Sequence, residues 1–161
     1  MDKKIQYEIR SAIASDCAYL SALAVQSKAF WDYSDAFVQA CKPVLTVTPA
    51  MIKKWRHGVA VFDEEIAGFY FLSIDGRQAE LELLYITPHH MGNNAGKALF
   101  QAAEETARRM GCESLRIEAD PNAVGFYRRM GARQTGWCRS EIEDARELPL
   151  MTKKLVSIPT R

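Results

Sequence analysis

The pattern of hydrophobic and polar residues changes period several times along the chain and predicts its elements in order. Residues 5–12 alternate between the two kinds and predict a first strand. Apolar residues recur at helical spacing over 17–24, and the aromatic stretch 27–41 is helical or irregular. Thr48-Pro49 predicts the start of a further short helix, because threonine caps helices and proline fits their first turn. A strand followed by helices therefore opens the chain.

The middle of the chain predicts three consecutive strands. Segments 58–63 and 65–74 flank a tight connection. Asp75-Gly76 is the strongest hairpin signal in the sequence, and a strand over 79–86 follows it. The three segments are therefore expected to form a meander.

Beyond Pro88 the hydrophobic period becomes helical. Apolar residues recur over 95–110, and Gly111 ends the run. A strand, a helix and two further strands are predicted, in that order, over 114–119, 121–131, 133–142 and 148–156. The whole order predicts a mixed α/β fold of the α+β kind, with about seven strands and four helices, rather than a doubly wound sheet.

The composition is that of an ordinary globular protein. Of 161 residues, 48% are hydrophobic and 25% are charged, and the formal net charge is +1. This balance gives no reason to expect nucleic acid or a membrane as the partner, and no segment reaches the ~20 apolar residues of a membrane span. The four cysteines form no Cys-x-x-Cys pair and the first residues contain no apolar signal region. We therefore expect reduced thiols, a cytoplasmic location and a single domain over 1–161.

A glycine-containing turn, "GNNAGKA", precedes the long helix. It suggests a nucleotide-binding loop, but three residues rather than four separate Gly92 from Gly96, and Lys97 precedes alanine instead of a metal-binding hydroxyl. The nucleoside triphosphatase interpretation therefore fails. Glycine and asparagine still allow left-handed backbone, so such a turn can aim amide N–H groups and the helix dipole at an anion. A plain strand-to-helix turn explains the spacing equally well.

Two longer motifs decide between these interpretations. The segment "YITPHHMGNNAGKALF" resembles motif A of the GNAT superfamily of N-acetyltransferases, and "EADPNAVGFYRRMGA" resembles its motif B. Both occur in the family's order and separation, and the predicted order of elements also matches. The sequence departs from the family pattern at three positions: Met91 replaces glutamine or arginine, Asn94 the middle glycine, and Asp120 the asparagine of motif B.

The resemblance implies the GNAT acyl-CoA N-acyltransferase fold, with acetyl-coenzyme A (acetyl-CoA) as co-substrate. Its pyrophosphate would bind the backbone amides of the turn, and its pantetheine arm would run beside the preceding strand. The residues implied in cofactor binding are Leu84, Tyr85, Ile86, Met91, Gly92, Asn93, Asn94, Ala95, Gly96, Lys97, Asp120, Asn122 and Tyr127.

The resemblance also implies catalytic groups. Tyr127 matches the family tyrosine that protonates the departing sulfur; the alternative is that it packs its helix, for which Phe126 is the better candidate. Glu80 and Glu82 alternate onto one face of their strand, where a half-buried carboxylate with a raised pKa can act as base. The alternative is that they face solvent and that ordered water is the base. A backbone N–H near Ile86 is the implied oxyanion donor.

The acceptor site is implied in the aromatic stretch. Phe30, Trp31 and Tyr33 lie among aspartates, which suits a small primary amine, although packing of the core explains the aromatic residues as well. His89 and His90 are expected to be exposed turn residues, because no metal-ligand spacing surrounds them. No metal site is therefore predicted.

We therefore predict an enzyme that transfers the acetyl group of acetyl-CoA to a primary amine of a small molecule, by direct attack in a ternary complex. The alternatives are a protein or peptide N-acetyltransferase and a non-catalytic module that binds acetyl-CoA and regulates a partner. A homodimer through the last strands is a further expectation. The identity of the acceptor is left open.

Overall fold

The computed structural model describes residues 5–142 and 146–156, and there it contains seven strands and five α-helices. The strands are β1 Glu8–Arg10, β2 Arg56–Phe62, β3 Glu65–Asp75, β4 Gln78–Ile86, β5 Ser114–Glu118, β6 Arg133–Arg139 and β7 Glu147–Lys154. The α-helices are α1 Cys17–Phe30, α2 Asp35–Leu45, α3 Pro49–Lys54, α4 Ala95–Arg109 and α5 Val124–Arg129.

The strands form one mixed sheet in the order β1-β2-β3-β4-β5-β7-β6. Strands β4 and β5 are parallel, whereas β5 pairs with β7, and β7 with β6, in antiparallel fashion. The predicted mixed α/β fold is confirmed. There are five helices rather than four because the stretch 27–41, left open between helix and irregular structure, is helical on both sides of a short break at 31–34.

The chain divides into two compact units. The first contains the residues up to Phe71 together with Leu83–Ala103. In it, α1 packs against α2. Fully buried side chains from helices and strands form its core: Leu20, Leu23, Ala24, Cys41, Leu45, Val59, Phe69, Phe71, Leu99 and Phe100. The predicted apolar face of α1 is therefore confirmed.

The second unit contains Leu72–Glu82 and the residues from Glu104 onward. Its core is formed by Leu72, Ala79, Ala107, Cys112, Leu115, Ile117 and Met151. Glu104 is buried beside this core and is paired with Arg108 at 2.7 Å and with Lys153. A buried carboxylate needs such partners because water cannot solvate it there. The single domain expected over 1–161 stays a prediction.

A glycine lets β3 approach the end of β4 closely within the first unit. A Cβ atom at Gly68 would lie 2.5 Å from the Tyr85 carbonyl oxygen and 2.8 Å from Ile86 Cδ1. It would also lie 3.0 Å from Leu99 Cδ1 on α4. Gly68 therefore sets the position of the last residues of β4 and of the helix that follows them.

We predict that Gly68→Ala destabilises the protein, because the added methyl group meets backbone rather than the end of a flexible side chain. The free energy of unfolding in urea should fall by about 1–3 kcal/mol, the range of overpacking substitutions. Gly136→Ala is the matched control in another strand, since the only contact that its Cβ would make with the described residues is Leu150 Cδ2 at 4.0 Å. Equal losses in the two variants would contradict the prediction.

Candidate functional site

The turn before α4 contains two residues in left-handed conformation. Gly92 has φ of +82° and Asn94 has φ of +68°, and α4 begins at the next residue, Ala95. Asparagine tolerates this region better than other residues with a Cβ atom. The replacement of the family's middle glycine by Asn94 therefore leaves the turn intact, as expected from the sequence.

Backbone donors at the start of α4 have no partner within the helix. Its first hydrogen bond runs from the Ala98 N–H to the Asn94 carbonyl oxygen at 3.0 Å, so the N–H groups of Ala95, Gly96 and Lys97 precede the ladder. Residues 92–94 and Lys97 are exposed. The N-terminal end of this helix, with its positive dipole end, can therefore bind an anion.

The end of β4 leads into this turn. Leu84, Tyr85 and Ile86 are half-buried, and the Thr87 N–H donates to the Ala67 carbonyl oxygen of β3 at 2.9 Å. The strand end is thus fixed to its neighbour by backbone groups. Met91, half-buried, closes the short 3-10 helix Pro88–His90 by donating its N–H to the Pro88 carbonyl oxygen at 3.2 Å.

Tyr127 is the buried aromatic residue of α5, with 7% of its surface exposed, whereas Phe126 is half-buried. The expectation that Phe126 is the better core residue was wrong, because the short helix turns Tyr127 inward. Burial, with the Asp120 charge adding to it, raises the pKa of the Tyr127 hydroxyl far above its ordinary value. The hydroxyl is therefore protonated at neutral pH and is a weaker acid than an ordinary tyrosine.

Asp120 and Asn122 form a local cap in the same unit. The Asp120 carboxylate accepts hydrogen bonds from the Asn122 backbone N–H at 2.8 Å and from its side-chain amide at 3.1 Å. These contacts start the 3-10 helix Pro121–Ala123, which leads into α5. They give both residues a structural role, and their contact with a cofactor stays a prediction.

Glu80 and Glu82 share one face of β4 and are half-buried, as the alternation predicts. Arg116 binds Glu80 at 2.7 Å and Glu118 at 3.1 Å, and the Ser73 hydroxyl donates to Glu82 at 2.7 Å. Burial raises the pKa of Glu80, and the charges of Glu82 and Glu118 add to this, whereas Arg116 opposes it. Ser73 and Arg116 were not predicted from the sequence, because only strand pairing brings them beside these carboxylates.

The aromatic stretch exposes two of its three predicted acceptor residues. Phe30 is 56% and Trp31 is 38% exposed, and their rings meet edge to face at 5.4 Å. Tyr33 packs on Phe37 at 4.6 Å, and the Lys28 ammonium lies 5.0 Å from the Tyr33 ring centroid. The Tyr33 ring therefore already faces a cation of this chain.

His90 is buried, with 4% of its surface exposed, whereas His89 is exposed. The expectation of two exposed histidines was therefore wrong for His90. The 3-10 helix turns its ring inward, where Nδ1 lies 3.1 Å from the Tyr7 hydroxyl and the ring packs edge to face against Phe62. Tyr7 is far away in sequence, so no local pattern reveals this burial.

No helix within the described ranges combines the length and the apolar character that crossing a membrane requires.

Known proteins resemble this chain in sequence and in fold. Residues 27–132 match the model of the Acetyltransferase (GNAT) family. The fold is similar to that of PaiA N-acetyltransferase from Thermoplasma acidophilum in complex with coenzyme A, with a TM-score of 0.72 and 24% identity over 93% of this chain and 99% of that one.

Two other proteins of similar fold are named for different acceptors. The ribosomal-protein-S18-alanine N-acetyltransferase from Escherichia coli has a TM-score of 0.70 and 16% identity, over 96% of this chain and 97% of that one. Nourseothricin acetyltransferase has a TM-score of 0.71 and 22% identity, over 93% of this chain and 99% of that one. Identities this low show the fold alone.

We predict that Glu80 lowers stability as its carboxyl group ionises. Because its pKa is higher in the folded chain than its ordinary value of 4.5, the folded state binds more protons between these two values. The free energy of unfolding, measured relative to Glu80→Gln, should therefore fall as pH rises from about 4.5 through the raised pKa, and then level off. A difference that stays constant or rises over this range would contradict the prediction.

Proposed function

Because the chain belongs to the acetyltransferase (GNAT) family, we propose that it transfers the acetyl group of acetyl-CoA to a primary amine of a small molecule, by direct attack in a ternary complex. Membership makes the chain an acyltransferase that uses acetyl-CoA. The class of acceptor, the roles of individual residues, the single domain over 1–161 and the cytoplasmic location are parts of the proposal.

The observation that carries the proposal is the left-handed turn with its free helix N-terminus. The N–H groups of Gly92 and of residues 94–97 would bind the pyrophosphate of acetyl-CoA, and the Lys97 side chain would add positive charge. The Asn93 N–H, which the sequence also assigned to this contact, instead donates to the His90 carbonyl oxygen at 3.3 Å. Met91 would contribute backbone only. The backbone of residues 84–86 would bind the pantetheine arm in the manner of an added strand.

The second unit supplies the groups for proton transfer. The amine nitrogen attacks the thioester carbonyl carbon, the carbon–sulfur bond breaks, and Tyr127 would give its proton to the sulfur. The match of Tyr127 to motif B supports this role. Its hydroxyl is protonated at neutral pH, and burial makes it a weaker acid than an ordinary tyrosine. A backbone N–H near Ile86 would stabilise the negative charge that develops on the carbonyl oxygen.

The proton of the amine would pass to a carboxylate of β4, directly or through water. Glu80 is held by Arg116 at 2.7 Å, whereas Glu82 accepts a neutral hydrogen bond from Ser73. An ion-paired carboxylate is a weaker base than one with neutral partners, because the cation stabilises its charge. Burial nevertheless raises the pKa of Glu80 in spite of this cation, so Glu80 is the proposed base and Glu82 is the alternative.

The acceptor would bind at the exposed aromatic residues of the stretch 27–41. Phe30 and Trp31 present apolar rings to solvent, and such rings attract an ammonium group. Tyr33 is the weakest of the three predicted positions, because the Lys28 ammonium lies over its ring. A short amine that contacts two rings suits this surface.

We predict that Gly92→Ala weakens coenzyme A binding by about tenfold or more, because alanine strains the left-handed turn that aligns the N–H groups. Gly111→Ala is the matched control, since both glycines have φ of +82° and a Cβ atom added at either would meet no atom of residues 5–142 and 146–156 within 4 Å. Both variants should lose similar stability, and only Gly92→Ala should bind coenzyme A more weakly in calorimetry. Equal affinity in the two variants would show that the turn is not the binding site.

We predict that Tyr127→Phe lowers kcat by about 10²-fold or more, with coenzyme A affinity within about twofold of wild type, because it removes one proton donor. Thiol release from acetyl-CoA is measured with a panel of small amines and peptides. Tyr70→Phe, which alters another buried tyrosine, is the control and should keep wild-type kcat.

The same panel tests the class of reaction. Acetylation of a peptide N-terminus or lysine in preference to every small amine would replace the proposed acceptor by a protein. Coenzyme A binding without thiol release on any acceptor would instead favour the non-catalytic regulatory module. Unchanged kcat in Tyr127→Phe would remove the tyrosine from the mechanism without affecting the acceptor assignment.

A further inference from the structure

Three potential metal ligands meet in the first unit, just before the turn that leads into α4. Glu65, His89 and His90 each offer one ligand atom, and these atoms all lie within 4.8 Å of one another. Glu65 begins β3, and the two histidines end the 3-10 helix that precedes the turn. The cluster therefore joins two segments that are separated by more than twenty residues in sequence.

His90 is the fixed member of the cluster. Its Nδ1 atom is engaged by the Tyr7 hydroxyl at 3.1 Å, and its buried Nε2 atom has no hydrogen-bond partner in the described part of the chain. Glu65 Oε2 lies 3.6 Å from this atom, beyond hydrogen-bond distance. A buried polar atom without a partner is costly, so this nitrogen points to a missing ligand.

We propose that Glu65, His89 and His90 bind a divalent transition metal ion of the zinc type. Two imidazoles and one carboxylate are a donor set that zinc prefers, and water would complete the tetrahedron. Metal-binding histidines generally donate their other ring N–H to a partner, and the Tyr7 hydroxyl oxygen can accept from Nδ1 in this way. Nε2 then keeps its lone pair for the ion.

The spacing of the cluster is compatible with an ion after small side-chain movements. Zinc–ligand distances of about 2.0–2.1 Å at tetrahedral angles place ligand atoms about 3.3 Å apart. Glu65 and His89 are exposed, so their side chains can rotate inward, whereas His90 is held by Tyr7. The bound ion would tie the start of the turn to the β2–β3 hairpin.

An ion pair between protonated His90 and Glu65 is the competing explanation. It would satisfy Nε2 by placing a proton on it, but it leaves His89 without a role. The two explanations differ in what the protein binds: only the metal site takes up zinc, and only the metal site requires His89.

The test is calorimetric titration of tag-free protein with zinc chloride. Wild type should bind about one ion per chain, and His89→Gln and Glu65→Gln should each weaken binding by about tenfold or more. Glu64→Gln is the matched control, because it neutralises the neighbouring exposed carboxylate outside the cluster, and it should bind as wild type. His90 is not substituted, since its buried ring also supports the fold.

Cobalt(II) spectra identify the ligand atoms. Nitrogen and oxygen ligands give no sulfur-to-metal charge transfer, so such a band would show that a cysteine rather than this cluster holds the metal. The proposal is overturned by that result, by wild-type protein that binds no zinc, or by equal affinity in wild type and His89→Gln. None of these outcomes depends on acetyl transfer.

Discussion

The close approach of β3 to the end of β4 is the constraint on which the rest of the candidate site depends. Because Gly68 has no Cβ atom, the Tyr85 carbonyl oxygen and the side chain of Leu99 can occupy the space beside it. Tyr85 lies before the turn and Leu99 lies after it, so Gly68 fixes both ends of the turn. The turn then has little freedom, and left-handed backbone at Gly92 and Asn94 completes the connection.

The turn differs in its backbone pairing from the β2–β3 connection of the same unit. Asp63 and Glu64 have positive φ as well, but they join two paired strands, and the adjoining ladders offset their strain. Asn94 is strained in the same way, yet the N–H groups that follow it have no partner in the helix. Strain together with unpaired donors is typical of a position that binds a ligand. This comparison within one chain supports the anion site more directly than the glycine pattern does.

Local signals predicted the helix starts and the turn because caps, prolines and left-handed residues act within a few positions. The threonine cap of α3 is confirmed, with Thr48 accepting the Met51 N–H, and the motif resemblance identified the family. The partners of the site residues were not predictable in the same way. Arg116 faces Glu80 only through parallel strand pairing, and His90 is buried by Tyr7, 83 positions away. Such contacts depend on register and packing, which the spacing of residues does not encode.

The chemistry of an amine acceptor sets two opposing requirements. In the proposed reaction, exposed aromatic rings such as Trp31 would attract the protonated amine, but only the neutral amine can attack a carbonyl carbon. A base must therefore take the proton from the amine after binding. An exposed carboxylate is too weak a base to do this well, because the pKa of its carboxyl group is low. Burial raises the pKa of Glu80, which makes its carboxylate a stronger base, whereas burial of Tyr127 makes its hydroxyl a weaker acid. Desolvation thus helps the proposed base and opposes the proposed acid, and the ion pair with Arg116 limits the gain at Glu80 by stabilising its charge.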